Sequence, residues 1–187
     1  MGWYSVVKDN IYLALCAAFR MDPDSTEALK KFVPAYVEDT ITPQAPRNLD
    51  VCYFSIERST GDTGLDYIQL VQATNVQGQA VTQIKKTIPA SVLITFYGPN
   101  ADDEAEEFWS VFQWDSGVNS PRAILRGSNI VPIGTPARPV SLYEVEGTYQ
   151  RRRCDVRVNL AYLEIKEYES SEVDTMPEIT SQPQYNN

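Results

Sequence analysis

Histidine is absent from this chain of 187 residues. Ser-His-Asp and Cys-His catalytic machinery needs an imidazole base, so the sequence excludes it, together with zinc sites that use histidine ligands. Cysteine is scarce: three residues, Cys16, Cys52 and Cys154, are widely spaced and form no CxxC pair. This number and spacing favour reduced thiols in an intracellular protein over a disulfide framework or a zinc site.

Long apolar runs and clustered basic charge are also missing. The longest apolar stretch, residues 11–19, is well short of the roughly 20 residues that cross a bilayer. Patterns for export and for myristoylation fail at Leu15 and Val6. Sixteen basic and 25 acidic residues give a net charge of −9. Because an acidic surface repels nucleic acid and anionic lipid, we expect no membrane partner and no specific binding of DNA.

The composition that is present is that of a globular protein, with 43% hydrophobic and 22% charged residues. The length fits one domain, which we predict over residues 1–169. Residues 170–187 consist mainly of Ser, Glu, Pro, Gln and Asn and offer few side chains to a core. They predict a flexible C-terminal arm that is disordered on its own.

Hydrophobic periodicity predicts two main helices and several strands. Residues 3–20 place apolar side chains at every fourth position, and a second amphipathic helix begins after Asn100 as its N-cap, with a further helical turn at 27–32. Strands are predicted at 50–57, 91–97, 129–133 and 154–162, and residues 66–88 predict a long exposed β-hairpin around Gly78. Residues 115–138 are otherwise expected to be irregular, because glycines and prolines, among them Pro121 and Gly127, interrupt them. The fold class is α+β: a mostly antiparallel or mixed sheet with two helices on one face.

Two patterns resemble catalytic or metal sites. Asp62-Thr63-Gly64 matches an aspartic protease half-site, but the residues before it are those of a solvated turn rather than an apolar strand. Carboxylates at positions 102, 103, 104, 106 and 107 could hold a cation, yet acidic residues are favoured at the start of any helix. We therefore expect no cofactor, no metal and no enzyme activity, with a protease acting through Asp62 as the remote alternative.

Basic residues cluster once, at Arg151, Arg152 and Arg153, with Arg157 beyond them. Such a cluster could bind phosphate or a partner's carboxylates. Arginines that enter a strand more often frame a protein interface or a solvated edge than read nucleic acid. Glycine patterns of phosphate-binding loops are absent from the sequence.

Two motifs resemble those of the phage neck terminator family. Residues 94–101, Ile-Thr-Phe-Tyr-Gly-Pro-Asn-Ala, run into an acidic helix and are similar to that family's Tyr-Gly-x-x-Ala turn. Residues 149–158, Tyr-Gln-Arg-Arg-Arg-Cys-Asp-Val-Arg-Val, resemble its Arg-Arg-x-Asp entry into a long C-terminal strand, and residues 172–175, Glu-Val-Asp-Thr, look like its ending. The likeness is clearest in the C-terminal half, while Cys154 and residues 115–138 depart from the pattern.

The resemblance implies a structural virion protein without catalytic residues. Such a subunit forms a ring, usually six-fold, that caps the tail tube and joins it to the head connector. The implied partners are further copies of the chain, tail tube and sheath proteins, and connector or collar proteins, while DNA passes through the channel. The implied location is the virion neck, after assembly in the host cytoplasm. A different connector, tail completion or baseplate component is the alternative.

We predict that regions outside the core-building patterns make the subunit contacts. The candidate interface residues are Tyr67, Gln69, Lys85 and Lys86 in the hairpin, Arg151, Arg152, Arg153 and Arg157 in the long strand, and Val173, Met176 and Ile179 in the arm. The arm would add a strand to a neighbour or wrap its surface. The arginines would form ion pairs between subunits or rings.

Overall fold

The computed structural model describes residues 2–35, 48–58, 67–114, 117–146 and 149–169. Within these ranges the helices are α1 (Trp3–Ala18), α2 (Thr26–Lys31), α3 (Ala101–Trp114) and α4 (Pro121–Gly127). The strands are β1 (Phe32–Pro34), β2 (Val51–Arg58), β3 (Tyr67–Thr74), β4 (Ala80–Tyr97), β5 (Ile130–Pro132), β6 (Val140–Glu146) and β7 (Tyr149–Glu169). Asp62 and the predicted arm, residues 170–187, lie outside the described residues. The division at residue 169 therefore stays a prediction.

All seven strands belong to one mixed sheet. The order is β1-β2-β4-β7-β5, with β3 pairing with β4 and β6 pairing with β7. β1 runs parallel to β2, and the other pairs are antiparallel. The expected α+β class and the mostly antiparallel sheet are confirmed.

The sheet is built around one long strand where the sequence predicted two. β4 is continuous over 18 residues and includes Pro89, which lies between the predicted hairpin at 66–88 and the predicted strand at 91–97. One edge of β4 pairs with β3 over residues 80–87 and with β2 over residues 90–97. Pro89 lies between these two stretches, at a point where neither β3 nor β2 pairs with that edge of β4. A proline without an N–H is tolerated at such a point, so the prediction of separate strands was wrong.

The helices cover one face of the sheet, called here the helix face; the opposite side is called the outer face. Alternation along each strand turns every second side chain toward the helices. Those buried side chains are Cys52 and Phe54 from β2, Val92, Ile94 and Phe96 from β4, and Cys154, Val156, Val158 and Leu160 from β7. Phe96 links the layers, since its ring centroid lies 6.0 Å from that of Phe19 and 6.1 Å from that of Phe108 on α3. Packing of the helices on one face is as predicted.

Three elements were missed in the sequence, and one of them is the short strand β1, which begins at Phe32, where a helical turn was predicted. α4 lies in the stretch expected to be irregular, and β6 lies where no strand was assigned. The Ser120 hydroxyl accepts a hydrogen bond from the Ala123 backbone N–H at 3.2 Å, and Pro121 occupies the first turn of α4. Serine followed by proline is a favoured helix start, so Pro121 begins a helix rather than ending one.

The predicted hairpin is confirmed as β3 and the first half of β4. Its turn contains Gly78 at φ +81°, and the Asn75 side-chain oxygen accepts hydrogen bonds from the backbone N–H groups of Gln77 and Gln79. β7 continues along β4 as far as Glu169, so the hairpin becomes a three-stranded ribbon. In the described part of the chain, no helix is long and apolar enough to span a membrane.

Candidate interaction surface

Strand alternation divides the arginine run between the two faces of the sheet. Arg152 points to the helix face, where its guanidinium pairs with the Asp102 carboxylate at the start of α3. Asp102 also accepts a hydrogen bond from the Ser141 hydroxyl at 2.7 Å. These contacts lower the pKa of Asp102, with the Ser141 hydrogen bond as the largest cause. Arg152 therefore ties β7 to a helix within its own subunit.

On the outer face, a charged and aromatic cluster surrounds Tyr97. The Arg151 guanidinium lies 4.2 Å from the centroid of the Tyr97 ring, and this arginine is only 8% exposed. The Tyr97 hydroxyl donates a hydrogen bond to Glu144 on β6 at 2.8 Å, and the Tyr53 ring packs edge-on against Tyr97. Burial, and then the hydrogen bond to Glu144, raises the pKa of Tyr97 to about 12. The phenol is therefore neutral at physiological pH and acts as a packing and hydrogen-bonding group.

Arg153 forms the polar rim of this cluster. Its Nε and Nη2 donate to the two carboxylate oxygens of Asp155 at 2.8 and 2.7 Å, and its Nη1 lies 3.9 Å from Glu144. The Asp155 hydrogen bonds raise the pKa of Arg153 above its ordinary value. A fork-to-fork pair of this kind fixes side chains in one geometry. The cluster is suited to rigid recognition of another surface rather than to proton transfer.

The other candidate interface residues lie elsewhere on the sheet. Arg157 is exposed on the outer face, two residues beyond Asp155 on β7. In the ribbon, Gln69, Lys85 and Ile165 are side by side, also on the outer face, which places Lys86 on the helix face. Arg153 and Ile165 are 12 residues apart on β7, or roughly 40 Å at about 3.3 Å per residue. On the outer face the candidates thus form two patches rather than one, while Arg152 and Lys86 lie on the helix face.

The remaining candidate residues are Tyr67 on β3, those of the C-terminal arm, and Asp62. Tyr67 pairs with Thr87 at the start of β3. Val173, Met176 and Ile179 lie outside the described residues, as does Asp62. The roles of all the candidates at an interface stay predictions.

The acidic start of α3 does not act as a single carboxylate cluster. Asp102 turns toward Arg152, whereas Glu104 turns inward and forms an ion pair with Lys31 at 2.5 Å, with both side chains largely buried. Burial is the main cause that raises the pKa of Glu104, although Lys31 opposes it. Within the described ranges, no group of His, Cys, Asp or Glu residues is arranged to hold a metal ion. The partner Lys31 was not recognised in the sequence, because 73 positions separate it from Glu104.

These opposite shifts predict opposite pH dependences of stability. Asp102 has a lowered pKa. Its contribution to the stability of the fold is therefore fully present above pH 3.8 and is lost as pH falls through the pKa of the folded state. Glu104 has a raised pKa, so the fold loses stability as pH rises from 4.5 through the folded value. Urea unfolding should therefore show that the deficit of Asp102→Asn grows as pH rises toward 3.8. The free energy of unfolding of Glu104→Gln, relative to that of the wild type, should increase as pH rises above 4.5. Parallel trends for the two variants would contradict the assignment.

The three thiols are buried and unpaired with each other. Cys16, Cys52 and Cys154 are free and at most 1% exposed. Burial is the largest cause that raises the pKa of each, to about 11 for Cys154. A protonated, inaccessible thiol is inert, so these cysteines serve as core side chains.

The Tyr-Gly-x-x-Ala turn joins β4 to α3 through a close backbone approach. Gly98 has φ +123°, and a Cβ built on it would lie 2.4 Å from Asp50 Oδ1 and 2.8 Å from Asp50 Cα. Asp50 Oδ1 accepts a hydrogen bond from the Asn100 backbone N–H, and Oδ2 accepts one from its side-chain amide. The turn therefore needs a residue without a side chain, and it holds Tyr97 and the start of α3 in fixed positions.

A family model described as phage neck terminator protein matches residues 15–186. The match includes the Tyr-Gly-x-x-Ala turn and the arginine run, and it reaches back into α1. Among curated proteins, no match is found.

Proposed function

Since this chain belongs to the phage neck terminator family, whose role in the neck and tail is structural, we propose that it is a ring subunit at the head-proximal end of the tail. There it ends the tail tube and joins it to the neck connector. The observation that carries the proposal is the family match over residues 15–186. The proposed ring is six-fold, with the tube, sheath and connector as neighbours in the virion.

The surface chemistry supports a structural role. The Tyr97 cluster is held by hydrogen bonds, an ion pair and ring contacts, so it presents a fixed pattern of charge and aromatic surface. Rigid aromatic and arginine side chains are typical anchors of protein interfaces. We propose no catalytic step for this protein.

The acidic charge supports the passage of DNA through such a ring. Each subunit carries −9, so six copies would carry −54. Where that charge lines the channel, phosphate is repelled rather than bound. We propose that DNA passes without specific contacts.

The test is a phage with a stop codon early in this gene, viewed by negative-stain electron microscopy. Full heads beside unattached tails of irregular length are expected, because the tube would lack its terminating ring. Wild-type protein supplied from a plasmid should restore joined particles. Heads without any tails would assign the protein to tail initiation, and normal infectious particles would overturn a structural role.

A further inference from the structure

Two long edge strands of the sheet, β3 and β6, contain neither lysine nor proline. In the described part of the chain, β3 pairs with β4 alone and β6 with β7 alone. β3 reads Tyr-Ile-Gln-Leu-Val-Gln-Ala-Thr, with no charge and no proline. β6 exposes four large apolar side chains, Val140, Leu142, Tyr143 and Val145. Edge strands are normally protected by lysine, proline or bulges, so edges like these are typical of strands that pair with another chain.

The directions of the two edges are complementary. β6 is antiparallel to β7, β7 to β4, and β4 to β3. β6 and β3 therefore run in opposite directions on opposite sides of the central β4–β7 pair. β6 lies beside residues 149–155 of β7, whereas β3 is level with residues 163–169, so the two edges are offset by about 14 residues, or roughly 46 Å, along the strands. When two copies keep the same orientation and one is displaced along the strands by this offset, β6 of one copy meets β3 of the next as an antiparallel neighbour. The edges are also similar in length, at seven and eight residues.

The exposed apolar side chains lie on matching faces. Leu70 lies opposite Ile84, and Val145 lies opposite Gln150; both registers place these side chains on the helix face. Leu70 is 58% exposed and Val145 is 68% exposed. Tyr143 lies two residues from Val145 on the same face. Pairing the edges would bring these apolar groups together and bury them.

We propose that neighbouring subunits join by pairing β6 of one copy with β3 of the next, so that the sheet continues from subunit to subunit. The occupant of each edge is a second copy of this chain. Such a contact uses two different surfaces, and when repeated it closes into a ring if the rotation between neighbours divides one full turn. The inference rests on the proposed function, because it assigns the contact by which that ring would form.

Crosslinking in assembled particles tests the contact directly. The stop-codon phage is supplied with the full chain carrying Leu70→Cys and Val145→Cys together, and purified particles are treated with a short bismaleimide. Because the three native thiols are buried, the introduced ones should react selectively. Immunoblotting should show a ladder of linked subunits for the double variant and none for either single variant.

The outcomes separate the contact from the function. Dimers formed by Val145→Cys alone would indicate a symmetric β6–β6 contact and overturn the proposal. Unlinked subunits present in particles carrying the double variant would overturn the edge pairing while leaving the ring intact. Particles without any subunit would instead contradict the proposed function.

A second set of variants tests the edges without crosslinking. Leu70→Lys and Val145→Lys should fold, since both side chains are exposed, yet each should lower the complemented phage titre by at least about 100-fold because lysine guards an edge. Leu29→Lys is the matched control: Leu29 is 60% exposed, close to the 58% of Leu70, and it lies on α2 rather than on a strand edge. Wild-type titre with either edge variant would contradict the proposal. Circular dichroism checks that each variant is folded.

Discussion

Gly98→Ala is expected to destabilise the subunit by about 3–5 kcal/mol, or to prevent folding altogether. The backbone at Gly98 has φ +123°, a conformation that alanine rarely adopts. The added Cβ would also meet Asp50 Cα and the Leu49 carbonyl oxygen at 2.8 Å, and backbone atoms cannot rotate away. Urea unfolding followed by tryptophan fluorescence measures the change in the free energy of unfolding.

Two other glycines provide graded controls for this substitution. Gly78 has φ +81° but open space around it, so Gly78→Ala should cost about 1 kcal/mol from backbone strain alone. Gly127 has neither a positive φ nor a close neighbour, so Gly127→Ala should change stability by less than about 1 kcal/mol. If Gly98→Ala were as stable as Gly127→Ala, the close approach to Asp50 would not exist in solution.

Phe96→Ala is expected to destabilise the subunit by about 3–5 kcal/mol, the usual range for a buried phenylalanine. Phe96 is fully buried and contacts Phe19, which follows α1, and Phe108 on α3. Its removal would leave a cavity where the two helices meet the sheet. The same urea unfolding experiment measures the loss.

Two further substitutions, one conservative and one at an exposed residue, serve as controls for Phe96→Ala. Phe96→Leu should cost less than half as much, because most of the apolar volume is retained. Leu70→Ala should change monomer stability by less than about 0.5 kcal/mol, since Leu70 is exposed. A loss below about 1 kcal/mol for Phe96→Ala would show that the helices close over the missing ring.

The elements predicted well were those whose pattern is local. α1 shows one apolar stripe, and the hairpin contains strong strand formers on both sides of a glycine turn, so each is visible in a short window of sequence. The prediction missed α4 because Pro121 and Gly127 were taken as helix-breaking residues, although proline is favoured in the first turn of a helix. The prediction divided β4 into two strands. Pro89 is tolerated within β4 because β2 and β3 leave a gap beside it, and that gap depends on how distant strands pair.

The surface was predicted less completely than the fold. Strand alternation alone could have shown that Arg152 faces away from Arg151 and Arg153. The partners could not be found this way, because Tyr97 and Glu144 are 47 positions apart and Lys31 and Glu104 are 73 apart. Such pairs are set by the packing of distant elements rather than by local sequence. β6 offered a weak signal that was overlooked, because Tyr143 and Val145 alternate with the acidic Glu144 and Glu146.

The pairing of β4 with β7 also determines the order of events during synthesis. Its closest pair, Tyr97 with Arg153, is separated by 56 positions, and its most distant, Val81 with Glu169, by 88. Translation of the 72 residues from 97 to 169 takes roughly 4–14 s at typical rates, and the pairing of β4 with β7 cannot be complete before then. Folding is therefore expected to be slow and to finish after translation has passed β7. Nascent chains interrupted before this strand could not complete the sheet, so they would be excluded from the growing virion.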